Sequence, residues 1–243
     1  MLLPQTVVNS VPLVEQPALK EEFAVKAVRI WFKKVGTARY ISHLDLNRCM
    51  SRAIHKAKIP LWYTQGFNPH AFITFALPLS LGISGERESM DIKLDDDDIT
   101  RDELIEKMNF ALPDDIFVFD ATEPVMKPGQ IAYASFVIIL DTEGADAKEI
   151  VEQIRKLFLS NEIIVPKHTK NGWIDFNLKP YLDQIEVNAR NDSVQISTIL
   201  PAGSTINVNP VLLNDAIKKY LKLDLYADIR RINIFDANFK IFE

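Results

Sequence analysis

Hydrophobic periodicity along this chain switches between two residues and about 3.6 residues, and the order of the switches leaves few folds open. Over residues 24–35 the apolar Val28, Ile30 and Phe32 alternate with bases, which is the period of a half-buried strand. Gly36 and Thr37 turn the chain, and Ser42 with Asp45 reads as the capping box of a helix. In that helix Leu46, Cys49, Met50, Ala53, Ile54 and Ala57 recur at helical spacing. Arg48, Arg52, His55 and Lys56 share another face. Pro60 ends the helix. Residues 61–63 and 71–77 read as extended around a Gly66-Phe67-Asn68-Pro69 loop, and residues 86–94 as a strand. Thr100 and Glu103 cap a second helix carrying Leu104, Ile105, Met108, Ala111 and Leu112. Residues 116–119 read as a closing strand.

The resulting order, β-α-β-β-α-β, is the split βαβ or ferredoxin-like pattern. After a linker at residues 126–129 the order restarts. Residues 134–140 form a strand pattern, and Asp146 with Glu149 caps a helix carrying Ile150, Val151, Ile154, Leu157 and Phe158. Strand patterns follow at 162–165, 173–176, 184–187 and 194–199, and Asn171-Gly172 marks a hairpin turn. Asn209 caps and Pro210 starts a helix with Leu213, Ala216, Ile217, Tyr220 and Leu221, and residues 228–235 make the last strand. The predicted fold class is α+β, with two tandem ferredoxin-like (βαββαβ) halves, the second with an additional hairpin. The expected divisions are a flexible leader (1–23), a first domain (24–125) and a second (131–243). The halves share element order but no matching side chains, and the alternative is one continuous α+β domain.

The 243 residues, 47% of them hydrophobic, suffice for a real core. No apolar run approaches the roughly 20 residues of a membrane span. The first 22 residues lack the basic start of a signal peptide, and Pro4, Pro12 and Pro17 interrupt any apolar core. The single cysteine, Cys49, rules out an intrachain disulfide and a cysteine-built zinc or iron–sulfur site. The expected location is the cytoplasm, with no membrane partner. Net charge is −5, unevenly spread. Residues 24–60 hold nine Lys or Arg and one acid, whereas residues 91–124 hold twelve acids and three bases. Either these are ordinary solvated faces, or one surface attracts an anion such as RNA while another repels it.

Candidate functional groups concentrate in Gly36-Thr37-Ala38-Arg39-Tyr40-Ile41-Ser42-His43-Leu44-Asp45-Leu46 and in Gln65-Gly66-Phe67-Asn68-Pro69-His70. With the downstream Leu77-Pro78-Leu79-Ser80-Leu81-Gly82 and Gly85-Glu86, these segments resemble the radical SAM-linked protein family, domain of unknown function 2344 (DUF2344). The resemblance covers residues 28–124 well and the remainder weakly, and it does not include the leader. Members of that family stand alone or form the last domain of a radical SAM protein, and no settled activity comes with the name. The resemblance implies a radical SAM partner and, more loosely, RNA or ribosomal components. A radical SAM cluster needs three cysteines, so with Cys49 alone that chemistry belongs to a separate protein, and no cofactor is expected on this chain.

Ser42, His43 and Asp45 do not make a triad, because neighbours at a helix start point apart and the Ser and Asp are already caps. His43, at the first helical position, is expected to be neutral. It serves either as a general base or as a structural hydrogen-bonding group, and His70, in a loop, is the other candidate base. Arg39 either binds phosphate beside the helix start or pairs with Asp45. Arg48, Arg52 and Lys56 form either a nucleic-acid track or a solvated face. Tyr40, Trp62, Tyr63 and Phe67 either stack bases or, for Trp62 and Phe67, join the core. Cys49 reads as a small buried hydrophobe. The run Asp95–Asp98 lacks the pattern of a calcium loop, and no metal site is expected.

Three functions follow. The first is a non-catalytic RNA-binding or substrate-presenting module that works with a separate radical SAM enzyme. The second is an RNA-processing enzyme using His43 or His70 as general base. The third is a protein-interaction domain only.

Overall fold

The computed structural model describes residues 26–65, 67–95 and 99–243. The expected leader lies outside them. Strand β1 (Lys26–Lys34) is followed by a 3-10 turn, Gly36–Tyr40, and helix α1 (His43–Lys56). Next come β2 (Ile73–Phe75), β3 (Ser84–Leu94), α2 (Arg101–Ala111) and β4 (Ile116–Thr122). The rest of the chain folds as β5 (Ile131–Asp141), α3 (Ala147–Phe158), β6 (Ile164–Thr169), β7 (Gly172–Asn177), β8 (Ile185–Arg190), β9 (Ser193–Pro201), α4 (Val211–Leu221) and β10 (Ala227–Asp236).

Eight strands make one sheet in the order β4-β1-β3-β10-β5-β9-β8, with β2 also on β3. Pairing within each half is antiparallel. The halves meet where β10 runs parallel to β3, Arg230 opposite Ser84 and Arg231 opposite Gly85. The molecule is thus a mixed α/β fold, with a large mixed sheet and four α-helices among the described residues. The chain places β5, β9, β8 and β10 relative to one another as it places β1, β3, β2 and β4. The hairpin β6–β7 stands apart as a two-stranded sheet, turned at Gly172 with φ +109°, where Asn171-Gly172 anticipated a turn.

The caps form where the sequence places them. The Ser42 hydroxyl accepts from the Asp45 amide at 3.1 Å and Thr100 accepts from Glu103 at 3.3 Å. The Asp146 carboxylate accepts from Lys148 at 2.9 Å and the Asn209 side chain accepts from Val211 at 3.1 Å. Each such cap stabilises its helix by about 1 kcal/mol. The Ser42 box differs from expectation in one bond: Asp45 receives the Ser42 hydroxyl at 2.7 Å.

Three apolar clusters follow from the burial pattern. Leu46, Met50, Ala53 and Ile54 of α1 and Leu104 and Met108 of α2 pack on β1, β3 and β4. Helices α3 and α4 pack on β5, β9 and β10, and this second core also takes in Leu79 and Ile83 from the first half. Burying each large side chain stabilises by roughly 1.5–3 kcal/mol. A third cluster joins Trp31, Ala76, Met126, Ile131, Ile234 and Phe242. The chain end folds back there, with the Phe242 amide donating to the Ile234 carbonyl at 2.9 Å. Among the described residues no helix is long and apolar enough to cross a membrane.

The second strand is shorter than the apolar pattern suggests. Of residues 61–63 and 71–77, only Ile73–Phe75 pairs as a strand, on β3, while Leu61 and Tyr63 make isolated bridges. Most other strands run slightly past their apolar cores, because sheet pairing continues beyond the alternating residues, whereas β6 and β8 start later than the expected 162–165 and 184–187 and β1 is described from Lys26 to Lys34.

Candidate functional site

The turn that precedes α1 is built around a carboxylate. Gly36 has φ +52°, and a Cβ there would lie 2.7 Å from the Asp115 Cγ. The glycine therefore serves twice, by adopting a left-handed conformation and by letting Asp115 approach. Thr37 donates to Asp115 through its hydroxyl and through its amide, the latter at 2.7 Å. These bonds, the hydroxyl's first, hold the Asp115 carboxyl below the usual carboxylate range.

Arg39 leaves this turn toward the second half and does not pair with Asp45, which was one of its two expected roles. It donates to the Asp228 carboxylate at 2.6 Å and to the Tyr226 hydroxyl at 2.6 Å. Its guanidinium lies 4.9 Å from the Tyr40 ring. Tyr226 holds its proton more tightly than an ordinary tyrosine, first because of the neighbouring Tyr40 hydroxyl and then because of desolvation. Asp45 pairs instead with Arg48 at 3.2 Å, on the surface. Two of the Arg39 nitrogens thus bond Asp228 of β10 and Tyr226 just before it.

Beneath the turn lies a buried ionic cluster. Arg231 of β10 grips both oxygens of Glu88 on β3 and also donates to the carbonyls of Leu77 at 2.7 Å and Pro78 at 3.3 Å. The two side chains are 4% and 5% exposed. Gly85 makes room for them: a Cβ there would sit 2.7 Å from the Glu88 Cδ. Lys34 is buried alongside and donates to the carbonyls of Arg39 and Ile41 at 3.4 and 3.3 Å. Burial lowers the Lys34 pKa, Glu88 opposes that and Arg231 adds to it. Gly82, at φ +82°, donates its amide to the Arg39 carbonyl at 2.8 Å. The segment Leu77-Pro78-Leu79-Ser80-Leu81-Gly82 is therefore a clasp. Its carbonyls hold Arg231, its Leu79 enters the second core, and its glycine fastens the turn.

His43 begins α1 with its ring edge-on to Phe75 at 5.0 Å. Burial first, and Lys34 second, push its pKa below the usual value, so the imidazole is neutral at pH 7. Its Nδ1 is buried without a hydrogen-bond partner among the described residues. His70 does something else. Its Nδ1 lies 3.0 Å from the Thr64 hydroxyl and 3.3 Å from the Asn68 carbonyl, and its carbonyl accepts from the Thr64 amide at 2.9 Å. The histidine thereby closes the loop. Gln65, Asn68 and Pro69 are exposed, and Phe67 stands fully in solvent. That corrects the core reading of Phe67. Gly66 lies outside the described residues. Trp62 is half-buried, and with Phe72 it flanks the Lys93 ammonium at 4.9 and 4.8 Å.

On α1 the bases Arg48, Arg52 and Lys56 are all exposed. They line a groove of about 310 Å³ with Asp45, Cys49 and Ala111. Phe110 of α2 is 82% exposed and lies 5.6 Å from the Lys56 ammonium. Cys49 packs partly against the first core, and burial raises its thiol pKa. Among the described residues no three His, Cys, Asp or Glu gather to hold a metal. A separate cleft of about 790 Å³ in the second half is lined by Gln130, Tyr133, Tyr181, Gln184, Ser204 and Phe239 among others, without Lys or Arg. It includes none of the residues singled out from the sequence.

Sequence reasoning missed Lys34, Glu88, Arg231, Asp228 and Asp115. A signal existed for two of them. Lys34 and Glu88 each lie two residues from a deeply buried apolar residue on the same strand face, Phe32 and Met90, where a charge needs a partner. The partner itself, nearly 150 residues away in sequence, left no local trace.

The structure therefore defines a mixed α/β protein with a large mixed sheet, a buried ionic cluster, a basic helix face and an exposed aromatic loop. By sequence the chain belongs to DUF2344, described as uncharacterized proteins conserved in bacteria, with residues 27–210 matched. No curated protein matches it. Among solved structures it is similar to a chain of a Cbf5-Nop10-Gar1 complex, at 13% identity and a TM-score of 0.40. That likeness covers 80% of this chain and 46% of the other. An unknown protein from Galdieria sulphuraria is similar at 10% identity and a TM-score of 0.25, covering 85% of this chain and 98% of that one. Likenesses this low carry no functional argument.

Proposed function

We propose that the chain is a non-catalytic RNA-binding or substrate-presenting module that works with a separate radical SAM enzyme in the cytoplasm. The observation that carries the RNA reading is the face of α1. Arg48, Arg52 and Lys56 are exposed together, and Phe110 projects beside Lys56. Cations that meet phosphates next to a ring that can stack on a base are the parts of a single-stranded nucleic-acid site. The radical SAM partner rests on the resemblance of the motif segments. We also read the two halves as ferredoxin-like units, a reading supported by the repeated strand placement, with β6–β7 as the additional hairpin.

The test is fluorescence anisotropy with a labelled single-stranded RNA of mixed sequence, over a series of salt concentrations. Wild type should bind with a slope of about −0.7 in log K against log salt for each phosphate contacted. Changing Arg48, Arg52 and Lys56 together to Glu should weaken binding at least tenfold and flatten that slope. Unchanged affinity in the triple variant overturns the reading.

A further inference from the structure

The two edges of the large sheet are treated differently by the fold. At β4 the Asn109 side chain of α2 donates to the Val118 carbonyl and accepts from the Val118 amide, both at 2.8 Å. That closes the edge against another strand. At β8 there is no such plug. Among the described residues the one side chain hydrogen-bonded to its outward backbone is Arg155, which donates to the Val187 carbonyl at 2.7 Å and leaves the amide free. Beside this edge runs a groove of about 560 Å³ between β8 and α3, and Leu159 in its lining is 78% exposed.

The pairing of β8 with β9 shows which groups face out. The Gln184 carbonyl accepts from Ile199, and Glu186 lies opposite Ser197, so even-numbered residues bond inward. Ile185, Val187 and Ala189 then present their backbone groups to solvent. Their side chains lie on the helix-covered face, where Val187 is buried, while Glu186, Asn188 and Arg190 project from the opposite, exposed face.

We propose that β8 is the docking edge for a second copy of this chain, joined antiparallel about Asn188 into one continuous sheet. The strand is self-complementary in that register. Val187 meets Ala189 of the other copy as a hydrogen-bonded pair, which uses the outward groups. Asn188 meets itself on the two-fold axis. Glu186 meets Arg190 of the other copy, and the symmetry makes that pairing twice. These pairs fall in the closely spaced non-hydrogen-bonded positions, where cross-strand charges act most strongly. A shift of one residue, centred on Val187, would put Arg190 opposite Gln184 and Glu186 opposite Asn188, and it forms no ion pair. Arg155 need not leave, because a carbonyl oxygen accepts two bonds. The edge lies in the second half, away from α1, so this interface stands or falls independently of RNA binding.

The experiment is sedimentation velocity on the full chain across a concentration series, for wild type, Glu186→Arg, Arg190→Glu and the double exchange. Both positions are solvent-facing and outside the apolar cores, so the variants keep their fold, which circular dichroism checks. Wild type should dimerise. Each single change places like charges opposite one another twice and should weaken the dimer by about tenfold or more. The double exchange should restore it to within about threefold. A monomeric wild type, a dimer indifferent to the single changes, or a double variant no better than the singles each overturns the proposal.

Discussion

Replacing Arg231 by Met tests whether the ionic cluster holds the two halves together. The substitution keeps an unbranched chain of similar reach but removes the guanidinium. It leaves Glu88, 3% exposed, without its bidentate partner, and it frees the carbonyls of Leu77 and Pro78. Breaking a buried ion pair by deleting one member costs about 3–5 kcal/mol, because the other charge stays uncompensated. The two lost carbonyl bonds belong to the same network and are not added separately. Lys34, close enough to feel Glu88, offsets part of the loss, so the lower end of that range is expected. For a chain of this length each kcal/mol moves Tm by roughly 2–4 °C, which gives a fall of roughly 6–12 °C. Thermal unfolding followed by circular dichroism measures the shift, and urea unfolding followed by tryptophan fluorescence measures the free-energy loss. Changing Glu88 and Arg231 together to Met should recover most of the loss, since well-packed apolar pairs often replace buried ion pairs at little cost. A single variant less stable by under about 1 kcal/mol would refute the reasoning, because the pair would then be effectively solvated.

Other outcomes follow from the same geometry. His43 has a folded pKa below its usual 6.5, so in the interval between the two values the unfolded chain holds the extra proton. Stability is full above pH 6.5 and falls as pH drops toward the folded pKa. His43→Asn should remove that component, and parallel pH–stability curves for wild type and variant would count against it. Gly82→Ala meets no neighbour and should cost only the left-handed backbone penalty, about 1–2 kcal/mol. Gly36→Ala must also displace Asp115 from Thr37 and should cost roughly 1 kcal/mol more; equal losses in urea titrations would argue against the carboxylate seat. Phe67→Ala should leave Tm within about 1 °C of wild type, because an exposed ring contributes nothing to either core.

The elements themselves were legible because their signals are local. Ser42, Thr100, Asp146 and Asn209 announce helix starts through bonds to amides two or three residues away. The apolar sets of α1 and α3 reach the core at their predicted spacing. The joint was not legible, because its parts are distant in the chain. Arg39 finds Asp228 across 189 residues, and Arg231 finds Glu88 across 143. A nearer acid, Asp45, offered Arg39 an obvious partner, but that carboxylate is taken by Ser42 and Arg48. Phe67 was misjudged for the converse reason. Hydrophobicity argues for burial on average, and nothing in the residue tells a loop tip from a core position.

The motif segments that carry the family resemblance divide by what the fold does with them. Arg39, Leu77, Pro78 and Gly85 have their roles accounted for by the joint, where each makes or permits a bond between the halves, while Gly36 and Gly82 shape and fasten the Arg39 turn within the first half. Holding a fold together is sufficient reason for those residues to be what they are. Leu44, Phe67 and Pro69 have no comparable employment: they are exposed, and exposed apolar groups in an ordered protein can mark a surface that meets something else. His43 and His70 divide along the same line. His70 closes its own loop through Thr64, whereas His43 keeps a neutral, unpartnered ring nitrogen beside Phe75. Of the two histidines only His43 has a buried ring nitrogen left without a hydrogen-bond partner among the described residues. Loss of RNA affinity on His43→Asn at pH 7, where that change alters no charge, would connect the motif to the basic face of α1. Unchanged affinity would confine His43 to the structural role that its contact with Phe75 already provides.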